Sequence, residues 1–177
     1  YYTEFAKSKI IYPETSKWMR ACYDTTGAVC ANTVCLIPTE DLYLLAILQS
    51  KIFDWYARHE FQTRGDPWSF SGRVRFMTQQ LESFPMFPAM ASQQAPIIER
   101  VNHLLTDMTA KAYYLADEID EYLYELYQLT DTDRQLIQEA EPQHSFTARY
   151  AGIWADLPEI DEEGEQLWVR WSKILTL

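Results

Sequence analysis

The sequence predicts an α+β fold: a small mixed or antiparallel sheet is covered by an amphipathic helix and followed by a long helix and a helical C-terminal extension. Residues 34–37 are short, apolar and ended by Pro38, which is typical of a buried strand. Thr39 is the predicted N-cap of the helix that follows, with acidic residues in the first turn. Apolar side chains then recur every three or four residues and predict one continuous apolar face, formed by Leu42, Leu45, Leu48, Ile52 and Trp55 or Tyr56.

Further strands are expected on both sides of this helix. Residues 9–12 predict a strand ended by a proline, and residues 20–23 and 28–31 predict two more around a turn in which Gly27 takes a positive φ. Residues 72–77 alternate between polar and apolar side chains, which indicates a half-buried strand. Arg73, Arg75 and Met77 would then share one face.

The second half of the chain is predicted to be helical. Apolar residues recur almost as heptads over residues 95–128, with Pro96 in the first turn, and predict one long helix. Its role is either to space or dock the sheet unit, or simply to pack across that unit's own sheet. Thr130 and Asp133 predict the cap of a short helix that runs to about residue 141. We therefore divide the chain into a sheet-plus-helix domain (1–94), a helical spacer (95–141) and an acidic, Trp-containing extension (142–177).

Charge is unevenly distributed. The net charge is −11, yet residues 1–94 carry nine basic and nine acidic side chains, so that all the excess acid lies in residues 95–177. The whole chain is a poor candidate for non-specific nucleic-acid binding, which needs a field of Lys and Arg. A local basic surface remains open for the first half.

The residue inventory argues against a catalytic site in this chain. It has no Gly-rich phosphate loop, no Gly-x-Ser-x-Gly and no Asn-Pro-Pro-aromatic motif. The three histidines are isolated, and the three cysteines lack a Cys-x-x-Cys pair, so we expect no metal site and a reducing, cytoplasmic location. No apolar run is long enough for a membrane span. The chain looks like a non-catalytic piece of a larger protein.

Three segments resemble the TaqI-like C-terminal specificity domain, the target-recognition part of type IIG restriction–modification enzymes and related adenine-specific DNA methyltransferases. They are YYTEFAKSKIIYP at 1–13, IPTEDLYLLAILQSKIFDWY at 37–56 and FQTRGDPWSFSGRVRFMTQQLESFPMFP at 61–88. The third segment contains the family's Arg-Gly, Arg-Phe and Leu-x-x-hydrophobic-Pro patterns, here Arg64-Gly65, Arg75-Phe76 and Leu81 to Pro85. The resemblance extends over about residues 1–140, and the acidic tail departs from it.

The resemblance implies a domain that reads duplex DNA in the major groove while a separate methyltransferase domain of the parent chain does the chemistry. S-adenosylmethionine would then be the cofactor of the parent enzyme, with Mg²⁺ added if the parent also cleaves DNA, and this fragment would hold none. A phage-defence methyltransferase is an equivalent parent. Partners would be double-stranded DNA and the methyltransferase domain, with no membrane.

Candidate DNA contacts are polar side chains on loops and strand ends. Arg can make two hydrogen bonds to guanine, and Gln can do so to adenine. The candidates for base reading are Lys17, Trp18, Arg20, Gln62, Arg64, Arg73, Arg75, Gln79 and Gln80. Lys7 and Lys9 are candidates for phosphate contacts, which position the protein without specifying sequence. Taken one at a time, each is better interpreted as a solvated side chain. As a group they are more persuasive, because they lie on irregular segments that flank the scaffold.

Two other functional classes stay open. One is a protein–protein interaction module without DNA contact, which the acidic second half and its heptad-like helix favour. The other, with less support, is a hydrolase that uses acidic side chains. DNA reading requires the arginines of residues 61–79 and the segment 14–20 to share one face, away from the acidic half.

Overall fold

The computed structural model describes residues 2–16, 18–62, 74–106 and 114–140. In chain order its elements are α1 (Tyr2–Phe5), β1 (Lys9–Pro13), β2 (Thr15–Ser16), β3 (Cys22–Asp24), β4 (Val34–Pro38), α2 (Leu42–Gln49), α3 (Lys51–Gln62), β5 (Val74–Arg75), α4 (Thr78–Leu81), α5 (Ala91–Thr106), α6 (Tyr114–Leu126) and α7 (Asp131–Ala140). Helices joined to small antiparallel sheets confirm the predicted α+β class.

A three-stranded antiparallel sheet precedes the central helices, as predicted, with strand order β3-β1-β4. In the middle strand, Ile10 and Tyr12 are almost wholly buried, so β1 is the strand that forms the core. β4 is only half-buried, and the predicted strand at residues 28–31 is wrong because that segment has no strand structure. Gly27 has a φ of +80°, which confirms the predicted turn.

The single central helix predicted from residue 39 onward is two helices. Asp41 caps α2, because its side chain accepts from the N–H groups of Tyr43 and Leu44. At Ser50 the backbone is extended, with φ −76° and ψ 157°. The Ser50 hydroxyl donates to the carbonyl of Ile47 at 2.7 Å and accepts from the N–H of Phe53 at 3.2 Å. Ser50 therefore ends α2 and caps α3, and the apolar periodicity continues across the break.

The long helix predicted over residues 95–128 is likewise wrong. Arg100 of α5 and Glu118 of α6 are 18 positions apart, yet Nε of Arg100 lies 2.6 Å from a carboxylate oxygen of Glu118. In one continuous helix they would lie about 27 Å apart. The chain therefore reverses between α5 and α6, and Pro96 lies inside α5 instead of in its first turn.

The described helices and strands share one core. A continuous cluster of buried apolar side chains runs from β1 through α2 and α3 to α5, α6 and α7. Ile97 and Val101 of α5 and Ile119 and Leu123 of α6 belong to it. Packing of these helices in the same core as the sheet is the alternative that the structure supports.

The predicted cap of α7 is confirmed. The carboxylate of Asp133 accepts from the backbone N–H and the hydroxyl of Thr130, at 2.9 Å and 2.6 Å. These bonds satisfy donor groups at the start of the helix. The acidic Trp-containing extension, residues 142–177, lies outside the described residues.

Candidate nucleic-acid interface

A two-stranded ribbon joins two segments that are far apart in sequence. β2 pairs antiparallel with β5, with Thr15 opposite Arg75 and Ser16 opposite Val74. The N–H of Phe76 also donates to the carbonyl of Glu14 at 2.7 Å. This β2–β5 ribbon brings the segment around residues 14–16 beside residues 74–76, so two of the predicted recognition stretches meet.

Side chains of β5 alternate as the sequence predicts. Val74 and Phe76 are buried, and the ring of Phe76 stacks at 6.3 Å from the ring of Phe53 in α3. Arg75 and Met77 are exposed. Because the buried pair fixes the ribbon on the core, Arg75 is held on the outer face.

Arg75 makes an ion pair with Glu14. The Arg75 Nε donates to Oε1 of Glu14 at 2.8 Å, and its Nη2 donates to the same oxygen. The side chains of Arg75 and Glu14 are 50% and 32% exposed. An ion pair this exposed adds little to stability, so the arrangement leaves the Arg75 guanidinium accessible to a ligand at small cost.

Hydrogen bonds to side chains of the central helices hold the segment from residue 18 to residue 21 in place. Met19 is fully buried, and its N–H donates to Oδ1 of Asp54 in α3 at 2.8 Å. The side-chain amide of Gln49 donates to the carbonyl of Ala21. Both anchors lie on the central helices, which makes this irregular segment a fixed part of the surface.

Trp18 and Arg20 flank the buried Met19. The guanidinium carbon of Arg20 lies 5.1 Å from the centre of the Trp18 ring, which is a cation–π contact. Arg20 is exposed and Trp18 is half-buried. The two predicted contact residues thus lie in contact with each other, and Arg20 brings a positive charge to this part of the surface.

Gln79 and Gln80 lie on α4 and differ in whether the side-chain amide is accessible to a ligand. Gln79 is exposed. The Oε1 of Gln80 accepts from the N–H of Met77 at 3.2 Å, so Gln80 caps the helix. A bidentate contact to adenine needs both the oxygen and the nitrogen of the amide, which makes Gln79 the better placed of the two.

Lys7 and Lys9 have different environments. Lys7 is exposed and pairs with Glu4 at 2.7 Å. Lys9 is fully buried, and its Nζ donates to the carbonyl of Phe5 at 2.7 Å and to the carboxylate of Asp24. A phosphate cannot reach Lys9 while this pair is formed, so its predicted phosphate contact is replaced by a structural role.

Part of the predicted site lies outside the described residues. This applies to Lys17, Arg64 and Arg73, and to the side chain of Gln62, whose backbone ends α3. Sequence reasoning missed Glu14 and Asp54. Asp54 had a signal, because it is an acidic residue within an apolar helical pattern, whereas nothing in the sequence pairs Glu14 with a residue 61 positions away.

Ion pairs within the fold neutralise part of the negative charge of the acidic helix α6. Residues 114–140 hold eight acidic side chains and one basic one. Lys51 lies 3.0 Å from Asp117 and 3.4 Å from Asp120, Arg100 pairs with Glu118, and Arg134 pairs with Glu121. The paired acids of α6 therefore present less charge to the surroundings than the sequence count suggests.

The comparison with protein families found a match for the first 86 residues of the chain. Residues 1–86 match the TaqI-like C-terminal specificity domain, while the predicted extension of the resemblance to residue 140 stays a prediction. No curated protein matches the chain. In the part that the structure describes, no helix could cross a membrane, and no group of three or more His, Cys, Asp or Glu could hold a metal ion. The match supports a DNA target-recognition role in restriction–modification enzymes. Residues 1–86 belong to the TaqI-like C-terminal specificity domain family.

Proposed function

We propose that residues 1–94 read a specific duplex DNA sequence for a type IIG restriction–modification enzyme or a phage-defence adenine-specific DNA methyltransferase. Catalysis then belongs to a separate methyltransferase domain that binds S-adenosylmethionine, and Mg²⁺ is needed only if the parent also cleaves. This chain would contribute recognition and no reacting group.

The observation that carries the proposal is the β2–β5 ribbon. It holds Arg75 half-exposed beside the segment that leads to Trp18 and Arg20. A two-stranded ribbon has a width that the major groove of B-DNA admits, and arginine makes the commonest specific contact to guanine there. Anchoring by Asp54 and by Phe76 supports the proposal, because a reader must be held rigidly to discriminate bases.

The test is selection from a randomised duplex pool by the full-length protein. We expect one enriched motif. Arg75→Ala should lower the preference at one base pair by roughly 5- to 150-fold, the equivalent of about 1–3 kcal/mol. Arg134→Ala is the matched control, because it removes the same charge from an ion-paired arginine on α7. An unenriched pool would contradict DNA reading by this protein.

The competing proposal is an acidic protein–protein interaction module. The acidic helices α6 and α7 also expose two large apolar side chains, Tyr114 and Leu136. Singly exposed apolar residues are common on protein surfaces, so it is the acidic charge of these helices that mainly favours this alternative. This alternative gains support if the pool stays unenriched while the full-length protein binds a basic protein partner through these two residues.

A further inference from the structure

We propose that Glu14 is a positioning residue for base reading, and that the base Arg75 reads is guanine. In this arrangement the Glu14 carboxylate holds one side of the Arg75 guanidinium and turns its free end toward the DNA. The inference rests on the proposed function and deepens it, since it assigns a role to an acidic residue beside one of the candidate base-reading arginines.

The backbone of Glu14 is fixed from two directions. Its N–H donates to the carbonyl of Thr33 at 3.0 Å, next to β4, and its carbonyl accepts from the N–H of Phe76 at 2.7 Å. Glu14 therefore lies at the junction between the three-stranded sheet and the β2–β5 ribbon. Its side chain starts from a defined point beside Arg75, which is itself paired with Thr15 in the ribbon.

The hydrogen bonds between the two side chains use one side of the guanidinium. Arginine has five N–H groups in a fixed planar fork. Glu14 accepts from Nε and from Nη2, both through Oε1. Three N–H groups are left, and the Nη1/Nη2 end still offers two parallel donors. Two parallel donors match the O6 and N7 acceptors of guanine, which is why the pair points to guanine instead of another base.

The carboxylate also changes what Arg75 contributes electrostatically. An unpaired arginine attracts phosphates at any sequence. The negative charge of Glu14, in direct contact with Arg75, offsets much of that attraction. The Glu14–Arg75 pair should thus supply discrimination with little non-specific affinity. A residue that only stabilised the fold would not separate these two quantities.

The test measures the dissociation constants of the full-length protein for two duplexes, the selected motif and the same motif with the guanine contacted by Arg75 replaced. Non-specific duplex is measured in parallel at two salt concentrations. The variants are Glu14→Ala, the isosteric Glu14→Gln, and Arg75→Ala. Glu121→Gln is the control, because it breaks an exposed Glu–Arg pair between α6 and α7. Thermal unfolding of each variant verifies that it is folded.

We expect Glu14→Ala to reduce the preference for guanine by about fivefold or more while non-specific affinity rises and its salt dependence steepens. Glu14→Gln keeps an acceptor oxygen and loses the charge, so its preference should lie between those of Glu14→Ala and the unmodified protein. Glu121→Gln should change neither quantity.

Four other results would overturn the proposal, and they differ in whether DNA reading itself remains supported. If Arg75→Ala loses the preference and both Glu14 variants keep it, the positioning role of Glu14 is wrong and DNA reading stands. If Arg75→Ala also keeps it, or if the base read is not guanine, the inference falls while a selected motif still supports the proposed function. If the unmodified protein selects no motif, both fall together.

Discussion

The backbone N–H of Met19 donates a 2.8 Å hydrogen bond to the carboxylate of Asp54, 35 positions later in the chain. Both residues are buried. This bond fixes an irregular surface segment onto helix α3 and so holds Trp18 and Arg20, which flank Met19, in place. The stability of the fold and the position of two candidate DNA contacts therefore both depend on one carboxylate.

Replacement of Asp54 should destabilise the fold in a graded way. Asp54→Ala leaves the buried N–H of Met19 without its acceptor, which costs about 1–3 kcal/mol, whereas Asp54→Asn keeps an oxygen and should cost less. Denaturant unfolding of the two variants measures the difference. Equal stability of Asp54→Ala and the unmodified protein would show that the bond is unimportant.

The buried Lys9–Asp24 pair predicts a large effect of breaking it on one side. Lys9→Met leaves the Asp24 carboxylate, only 9% exposed, without its cation. Removal of one partner of a buried pair costs about 3–5 kcal/mol. The double variant Lys9→Met/Asp24→Asn should recover part of this loss in the free energy of unfolding. A double variant no more stable than Lys9→Met would contradict the pairing.

The Lys9–Asp24 pair also predicts that the free energy of unfolding falls in acid. Burial by itself raises the pKa of Asp24, but hydrogen bonds from Lys9 and Thr26 outweigh it and lower the pKa from 3.8 to about 2. A lowered folded-state pKa gives stability that is present above the unfolded-state value and is lost as the pH falls to the folded-state value. The free energy of unfolding should therefore drop between pH 3.8 and about pH 2, and Asp24→Asn should flatten that drop.

Asp120 predicts the opposite slope at higher pH. Burial raises the pKa of its carboxyl group to about 7, against the effect of Lys51, whose backbone N–H donates to it at 2.9 Å. Because the folded state binds this proton more tightly, the contribution of Asp120 to stability grows as the pH falls from about 7. The stability of the unmodified protein relative to Asp120→Asn should accordingly increase from about pH 8 to about pH 5. A decrease over this interval would contradict the assignment.

Lys7 is predicted to touch a phosphate and no base. Its exposed pair with Glu4 is weak and is easily exchanged for a phosphate contact. Lys7→Ala should weaken binding of the full-length protein equally for all sequences and reduce the slope of log K against log salt by about 1. A change in sequence preference would instead make Lys7 a base reader.

Local patterns predicted those elements whose structure depends on neighbouring residues. Gly27 in its turn, the Thr130–Asp133 cap and the alternation of Arg75 and Met77 with buried neighbours are set by the chain within a few positions. The strand β1 and the apolar face of the central helices were recognised for the same reason. The expectation that this chain reads DNA depends on the family resemblance and not on these local patterns.

Features that depend on distant partners could not be predicted. The break at Ser50 interrupts no periodicity, because α2 and α3 both bury apolar faces in the same core. The reversal between α5 and α6 is visible only from contacts such as Arg100 with Glu118. Lys9 looked like a surface lysine because its partner Asp24 lies 15 positions away. The Glu14–Arg75 pair joins two segments that only the fold brings together.

The most direct test of DNA target recognition exchanges the recognition segments themselves. Residues 14–20 and 61–80 of the full-length protein would be replaced by those of a family member with a different target. Methylated adenines would then be mapped by single-molecule sequencing in cells that express each version. We predict that the methylated motif changes to follow the exchanged segments. The same motif before and after the exchange would contradict base reading by this domain and would place recognition elsewhere in the parent protein.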